Sequence, residues 1–428
     1  MIGRRALPRH HVARRHRLRG HGYFSRLGPG LVTGAADDDP SGIGTYSQVG
    51  AAFGLGMLWS TIVVAPMAAA VQETAARLGL ATGVGLAGLI RERFARPILY
   101  FAVALTLVAN TFNIGADVAS MAAATRLVVD VPTVILVLLF TGVMLALELT
   151  LPYHRYARVL RWLALSLLAY IFVLATVDID WSAVASSLIS PDVTFNRPEL
   201  AALLAVFGTT VSPYLFFWQA SEEVEEELDE GVAPTALTDE HLTAMRVDVI
   251  GGMGSAVAIA FVIMLVAATT LHPAGLTQVA TADQAADALR PLAGDLAGLL
   301  FAVGIVGLGL LAVPVLAGSS AYALSEAFAW HEGLSQTFRQ AKGFYLVLVG
   351  SMLGGVVVGS FGIDPIRALY YAAILNGLAA PPLIALMLIL ARDRSVCGAH
   401  RSGPLSTVIV GSAIAVSVLL PVLYVLSP

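Results

Sequence analysis

Eleven apolar stretches of membrane-crossing length recur along this chain, and that repetition constrains its fold more than any other feature. They run at about 30–56, 58–78, 98–127, 132–151, 159–177, 199–221, 247–271, 293–327, 343–361, 366–391 and 404–426. A helix needs roughly 20 apolar residues to cross the hydrocarbon of a bilayer. Composition points the same way. Of the 428 residues, 57% are hydrophobic and 13% charged, whereas an ordinary soluble domain is about 25% charged. The expected fold class is all-α and integral to the membrane, with about eleven transmembrane helices and the lipid bilayer as its surroundings. Cys397 is the one cysteine, which leaves no disulfide framework and no cysteine metal cluster. No G-x-x-x-x-G-K-[ST] loop occurs, so ATP-driven chemistry has no support. No enzyme constellation, cofactor motif or nucleic-acid partner is indicated.

Arginine placement gives an orientation, because short cytoplasmic loops accumulate Arg and Lys. The start of the chain carries Arg4, Arg5, Arg14, Arg15, Arg17 and Arg19. The loops after segments two, four, eight and ten are basic: Arg77, Arg91, Arg93 and Arg96; Arg155, Arg158 and Arg161; Arg339 and Lys342; Arg392, Arg394 and Arg401. The loop after segment six, Glu222 to Glu240, falls on the same side but is acidic, and acidic residues contribute little to orientation. The intervening loops hold Asp178, Asp180, Asp192 and Asp364 against Arg197 and Arg367. This alternation predicts a basic cytoplasmic tail over 1–27, a single membrane domain over 28–428 and an external C terminus. His10, His11 and His16 in the tail carry no expected metal role. Residues 183–198 suggest a short interfacial helix. The run Glu222, Glu223, Glu225, Glu226 and Glu227 after segment six reads as a solvated face or a cation-concentrating vestibule. Glu73 and Glu148 are expected to be paired near helix ends.

Two segments break the rules for a lipid-solvated helix. Segment one contains Asp37-Asp38-Asp39-Pro40-Ser41-Gly42, and segment six contains Gly208-Thr209-Thr210-Val211-Ser212-Pro213-Tyr214. One Asp at the bilayer centre costs about 2.5–3.5 kcal/mol on insertion scales. Proline removes a backbone donor, and exposed backbone at membrane depth is tolerated around a cavity or inside protein. The two interruptions occupy equivalent places in two halves of five segments. That pairing points to an inverted-repeat transporter with its site at the midplane. Asp39, next to Pro40, is the carboxylate expected to act as ligand, with Asp37 and Asp38 at a water-filled vestibule.

At these residues the chain resembles the Nramp family of divalent-metal transporters. That family carries Asp-Pro-Gly-Asn in its first helix and Ala-x-x-Met-Pro-His in its sixth. The opening Gly28-Pro29-Gly30-Leu31-Val32-Thr33-Gly34 and the stretch Arg77-Leu78-Gly79-Leu80-Ala81-Thr82-Gly83 are similar to it as well. The resemblance implies a leucine-transporter-type bundle, with repeat one at about 28–178, repeat two at about 199–392 and an extra helix at about 404–426. It implies import of a divalent metal cation as substrate, through Asp39, Gly42, Thr209 and Ser212, in what would be a bacterial plasma membrane.

Departures from the family pattern carry chemical meaning. Gly42 replaces the family's Asn, Thr209 its Ala, Ser212 its Met and Tyr214 its His. Loss of a thioether leaves an oxygen-only site, which suits Mg²⁺ or Mn²⁺ over softer ions. Mg²⁺ keeps several waters and binds through one or two carboxylates, so the wider site is similar to the Nramp-related magnesium transporters. Asn110 and Asn113 stand where the family places titratable acids in its third helix, which implies transport without protons. Asp117 remains in that helix as a titratable group able to compensate for them, and a helix–helix hydrogen bond is its other expected role, the one favoured here. The rival expectations are a proton-coupled Mn²⁺/Fe²⁺ importer and an organic-solute symporter of the same fold.

Overall fold

The computed structural model describes residues 28–150, 167–191, 193–230 and 237–427. The basic tail, Arg155, Arg158, Arg161, the first half of segment five, Asp192 and the end of the acidic loop at 231–236 lie outside the described residues. Among the described residues every regular element is helical.

Segment one is two helices, α1 (Pro29–Asp37) and α2 (Pro40–Phe53). Pro29 and Pro40 sit where a helix begins, the place at which a missing N–H removes no intrahelical bond. Asp38 leaves the helix with φ −78° and ψ 39°, and Asp39 is extended and caps α2. Then come α3 (Trp59–Thr82), α4 (Leu86–Arg93), α5 (Arg96–Thr125), α6 (Thr133–Thr150), α7 (Leu168–Leu174) and the short α8 (Trp181–Ile189). Segment six is likewise broken, into α9 (Arg197–Thr210) and α10 (Pro213–Glu230), again with proline opening the second half. The chain continues as α11 (Asp239–Thr270), α12 (Ala297–Phe328), α13 (Lys342–Gly359), α14 (Pro365–Arg392) and α15 (Pro404–Leu426).

Among the described residues eight helical spans are long and apolar enough to cross a membrane. They correspond to segments three, four and six to eleven. Segment one is divided by its break. Segment two passes only together with α2, from which α3 is bent by 112°. Helix α4 lies in what the sequence presents as a loop. It buries Leu86, Ala87, Leu89 and Ile90 and exposes Arg91, Glu92 and Arg93.

Packing brings the two breaks together. α1 and α2 lie along α11, α9 lies along α14, and α5 is flanked by α12, α13 and α14. Among the described residues, the basic loops after segments two and ten meet each other. Both terminal nitrogens of Arg93 donate to Ser395 at 2.9 Å, Arg77 donates to the His400 carbonyl at 2.9 Å, and Arg246 meets Glu73 at 3.0 Å. Glu73 also pairs with Arg77, so it is paired as expected. At the opposite end the Gln48 amide grips a loop, donating to the Thr277 carbonyl at 3.3 Å and accepting from the Val279 amide at 2.7 Å. A vestibule of about 450 Å³ lies beside it, lined in part by Arg367, Tyr370 and Tyr371.

Candidate functional site at the two helix breaks

The sequence Asp39-Pro40-Ser41-Gly42 dictates the local geometry. Proline fixes the first turn of α2, and the preceding side chain is placed to accept from the amides that the turn leaves free. Asp39 Oδ1 accepts from the Gly42 amide at 2.9 Å and from the Ser41 hydroxyl at 2.5 Å. Asp39 Oδ2 meets the Asn113 amide of α5 at 3.5 Å. The residue is 1% exposed. The N-terminal end of a helix favours an anion, so α2 supports the charge it is capped by.

Segment six closes the other side. The Ser41 and Thr209 hydroxyls are 3.3 Å apart. Tyr46 of α2 bonds the Thr210 hydroxyl at 2.8 Å, and Thr210 in turn donates to the Val206 carbonyl. Tyr214 donates to the Ala36 carbonyl at 2.8 Å, and Ser319 of α12 donates to the Tyr214 carbonyl at 2.7 Å. Each half of segment one is thus stitched to one half of segment six across the break. Gly42 faces this junction. A methyl group there would stand 3.4 Å from the Tyr46 ring, 3.5 Å from the Asp37 carbonyl and 3.7 Å from the Thr209 hydroxyl, all ordinary contacts.

Asp39, Gly42 and Thr209 therefore meet at one point. Ser212 lies one turn beyond Gly208, and its hydroxyl donates to the carbonyls of Gly208 and Thr209 at 3.0 and 2.8 Å. Its oxygen lone pairs are what it can offer a cation. The helix C-terminal ends at Asp37 and Thr210 add partial negative charge. The donor set is oxygen throughout, as carboxylates, hydroxyls and carbonyls.

Three expectations are corrected. Asp37 and Asp38 are 3% and 6% exposed, so they line no open vestibule; the packing of α1 against α10 and α11 covers them. Asp117 makes no helix–helix hydrogen bond: it is fully buried, and neither carboxylate oxygen has a partner. Glu222 and Glu223 are buried, against the expectation of a solvated face. Glu222 and Glu225 both accept from the Tyr322 hydroxyl, at 3.1 and 2.5 Å, and Glu225 also accepts from the Leu334 and Ser335 amides. Glu148, expected near a helix end, is buried towards the end of α6. The side chain of Glu227 and the three tail histidines lie outside the described residues.

Tyr322, Glu326 and Asp248 were not legible as structural anchors. Glu326 accepts from the Gly88 amide and the Ser221 hydroxyl, joining α4, α10 and α12. Asp248 accepts from the Gly30 amide at 2.7 Å and so holds the start of α1 to α11. Each is one polar side chain in an apolar run, and only the tertiary contact identifies what it ties down.

Comparison with known proteins adds an independent line. The family model described as natural resistance-associated macrophage protein-like matches residues 30–427. The divalent metal cation transporter MntH of Deinococcus radiodurans is 29% identical over 87% of this chain and 83% of its own length. The manganese transporter of Eremococcus coleocola, in its H236A form, superposes with a TM-score of 0.73 at 18% identity, covering 94% of this chain and 87% of that one. Mhp1, a nucleobase-cation-symport-1 family transporter, gives 0.57 at 14% identity, covering 94% and 92%. These superpositions identify the leucine-transporter-type fold.

Proposed function

The chain belongs to the Nramp family, and from that premise we propose that it carries a divalent metal cation across the bilayer by alternating access, at the junction of its two helix breaks. The observation that carries the reading is Asp39, a buried carboxylate fixed between the broken segments and surrounded by oxygen donors. Asp39 is the charged ligand in this reading. Thr209, Ser212 and the carbonyl at Asp37 supply neutral oxygens, and Gly42 leaves room for water. Mn²⁺ fits this donor set, in keeping with the relatives named for divalent metal and manganese transport. Mg²⁺ fits it as well, because no thioether is present to favour softer ions.

The arginine-bearing end faces the cytoplasm of a bacterial plasma membrane in this reading, and the cation moves inward. At a potential of about 100 mV, inside negative, a doubly charged ion gains about 4.6 kcal/mol on entry. That suffices for accumulation without a coupling ion. Asn110 and Asn113 cannot titrate, and Asn110 instead donates to the Leu316 carbonyl and the Ser320 hydroxyl. A proton-coupled Mn²⁺ importer is the second reading, favoured by the similarity to MntH proteins.

Flux into proteoliposomes tests both. The protein should move Mn²⁺, Mg²⁺ should compete at millimolar concentration, and an internal pH dye should report no proton entry. Proton influx locked to metal influx would establish the second reading. Asp39→Ala should abolish flux while the protein still purifies folded, since losing a helix cap costs only about 1 kcal/mol. Wild-type flux in Asp39→Ala would remove Asp39 from the site.

A further inference from the structure

Among the described residues, Asp117 is the one fully buried acid near the junction whose two oxygens both lack a protein partner. Leaving a buried charged group unsatisfied is costly, and a bound water or ion is one of the explanations for such a group in a native structure. Its surroundings are informative. Asp117 lies one helical turn along α5 from Asn113, the residue that touches Asp39. Four residues at 1.5 Å each place it about 6 Å further along the helix axis. α5 starts at the basic end, so Asp117 lies on the side of Asp39 that faces the Gln48 vestibule. It is within electrostatic reach of both Asp39 and Tyr214. Asp37 Oδ1 is also without a partner. Among the described residues no Arg or Lys pairs with Asp37, Asp38, Asp39 or Asp117.

Two further facts limit what can partner these oxygens. Among the described residues no three acidic, histidine or cysteine side chains converge closely enough to hold a bare metal ion. Asp39 Oδ1 is already engaged by two donors. A stripped cation would therefore have one carboxylate and only neutral oxygens as direct ligands. A cation that keeps part of its water shell would not be so limited, because its bound waters are strong donors that reach a carboxylate one layer away.

We infer that Asp117 is an outer-shell ligand: it accepts hydrogen bonds from the waters of a divalent cation held at Asp39, on the side from which the vestibule opens. This rests on the reading of Asp39 as the ion's charged ligand, and it deepens that reading by stating the form of the cargo, a partly hydrated dication. Asp117 makes the junction selective for ions that keep their water.

The test uses the purified full chain and two readouts. The first is thermal stabilisation by Mg²⁺, which needs no transport. The second is inhibition of Mn²⁺ uptake by cobalt(III) hexaammine, whose inert ammine shell offers N–H donors and no open coordination position. Wild-type protein should be stabilised by Mg²⁺ and inhibited by the cobalt complex. Asp117→Asn should weaken both about tenfold, equivalent to about 1.4 kcal/mol. Asp117→Glu, which keeps the carboxylate, should retain most of both, and it stands as the control if the amide variant folds poorly. Wild-type Mg²⁺ midpoints and cobalt inhibition in Asp117→Asn would overturn the assignment, as would equal losses in Asp117→Glu and Asp117→Asn. If wild-type protein shows Mg²⁺ stabilisation dependent on both Asp39 and Asp117 but no flux, the transport reading fails and this site stands.

Discussion

At the scale of single residues, the junction is read through what stands at positions 42 and 212. Gly42 has space for a side chain, since a methyl there meets only ordinary contacts. Ser212 turns its hydroxyl back onto its own helix, so a longer side chain at that position has to take another direction. The double change Gly42→Asn and Ser212→Met would supply an amide and a soft sulfur. The expected outcome is a shift of uptake competition from Mg²⁺ towards Cd²⁺, read as the ratio of their inhibition constants against Mn²⁺; an unchanged ratio would show that these positions do not set preference. The sequence made Asp39 legible, because a carboxylate before proline inside an apolar run has one economical explanation, a cap at a helix break. It did not make Asp117 legible. One Asp in segment three looks the same whether it bonds a neighbouring helix or is buried without a partner, and the difference lies in which groups the packed helices present to it.

At the scale of elements, the seam between α1 and α11 shows how tightly the inner half of segment one is seated. Gly30 and Gly34, four residues apart, lie against the backbone of α11 near Val249 and Gly252, and a methyl group at either would collide with it. Small residues at this spacing let two helix backbones approach directly. Gly34→Leu should therefore force the helices apart, with an overpacking cost of about 1–3 kcal/mol. The check is a lowered midpoint of thermal unfolding in detergent together with lost flux. An unchanged midpoint would mean that α1 moves freely on α11. A second element, the loop after α12, is poised by charge. Burial, then the neighbouring carboxylates of Glu326 and Glu225, push the Glu332 carboxyl up to about 9. The folded state thus holds a proton that the unfolded chain releases above its ordinary value of 4.5, and stability contributed by that proton is lost as pH rises through about 9. Wild-type protein should lose thermal stability between pH 6 and pH 9, on the order of the window set by those values, and Glu332→Gln should flatten that slope. An identical slope in the variant would assign the pH dependence elsewhere. Neither element announced itself in the sequence. Gly30 and Gly34 sit in the first apolar segment and Glu332 beyond the eighth, and only their tertiary neighbours show what each does.

At the scale of the whole molecule, the apolar runs and the two interruptions foretold an all-helical bundle with broken helices in segments one and six, because membrane burial leaves the backbone few alternatives. What they did not foretell was α4, whose eight residues are too few to show a clear period. The arginine distribution predicts the sides of the membrane, and the hydrogen bonds from Arg77 and Arg93 bring the loops after segments two and ten together. A cysteine introduced at Ser427, in protein whose buried Cys397 has been changed to Ser, should react with an impermeant maleimide only from outside the cell. Labelling confined to the cytoplasmic side would invert the assignment. One feature of the junction bears on the cycle as a whole. Asp39 receives the Ser41 hydroxyl and the Gly42 amide from its own helix, so part of its charge is answered before any passenger arrives. In the proposed uncoupled reading, the carrier returns unloaded after each passage. An unloaded carboxylate compensated from within can make that return leg without borrowing a proton, and the homeward passage then becomes a step of the machine in its own right, with its own rate and its own response to voltage.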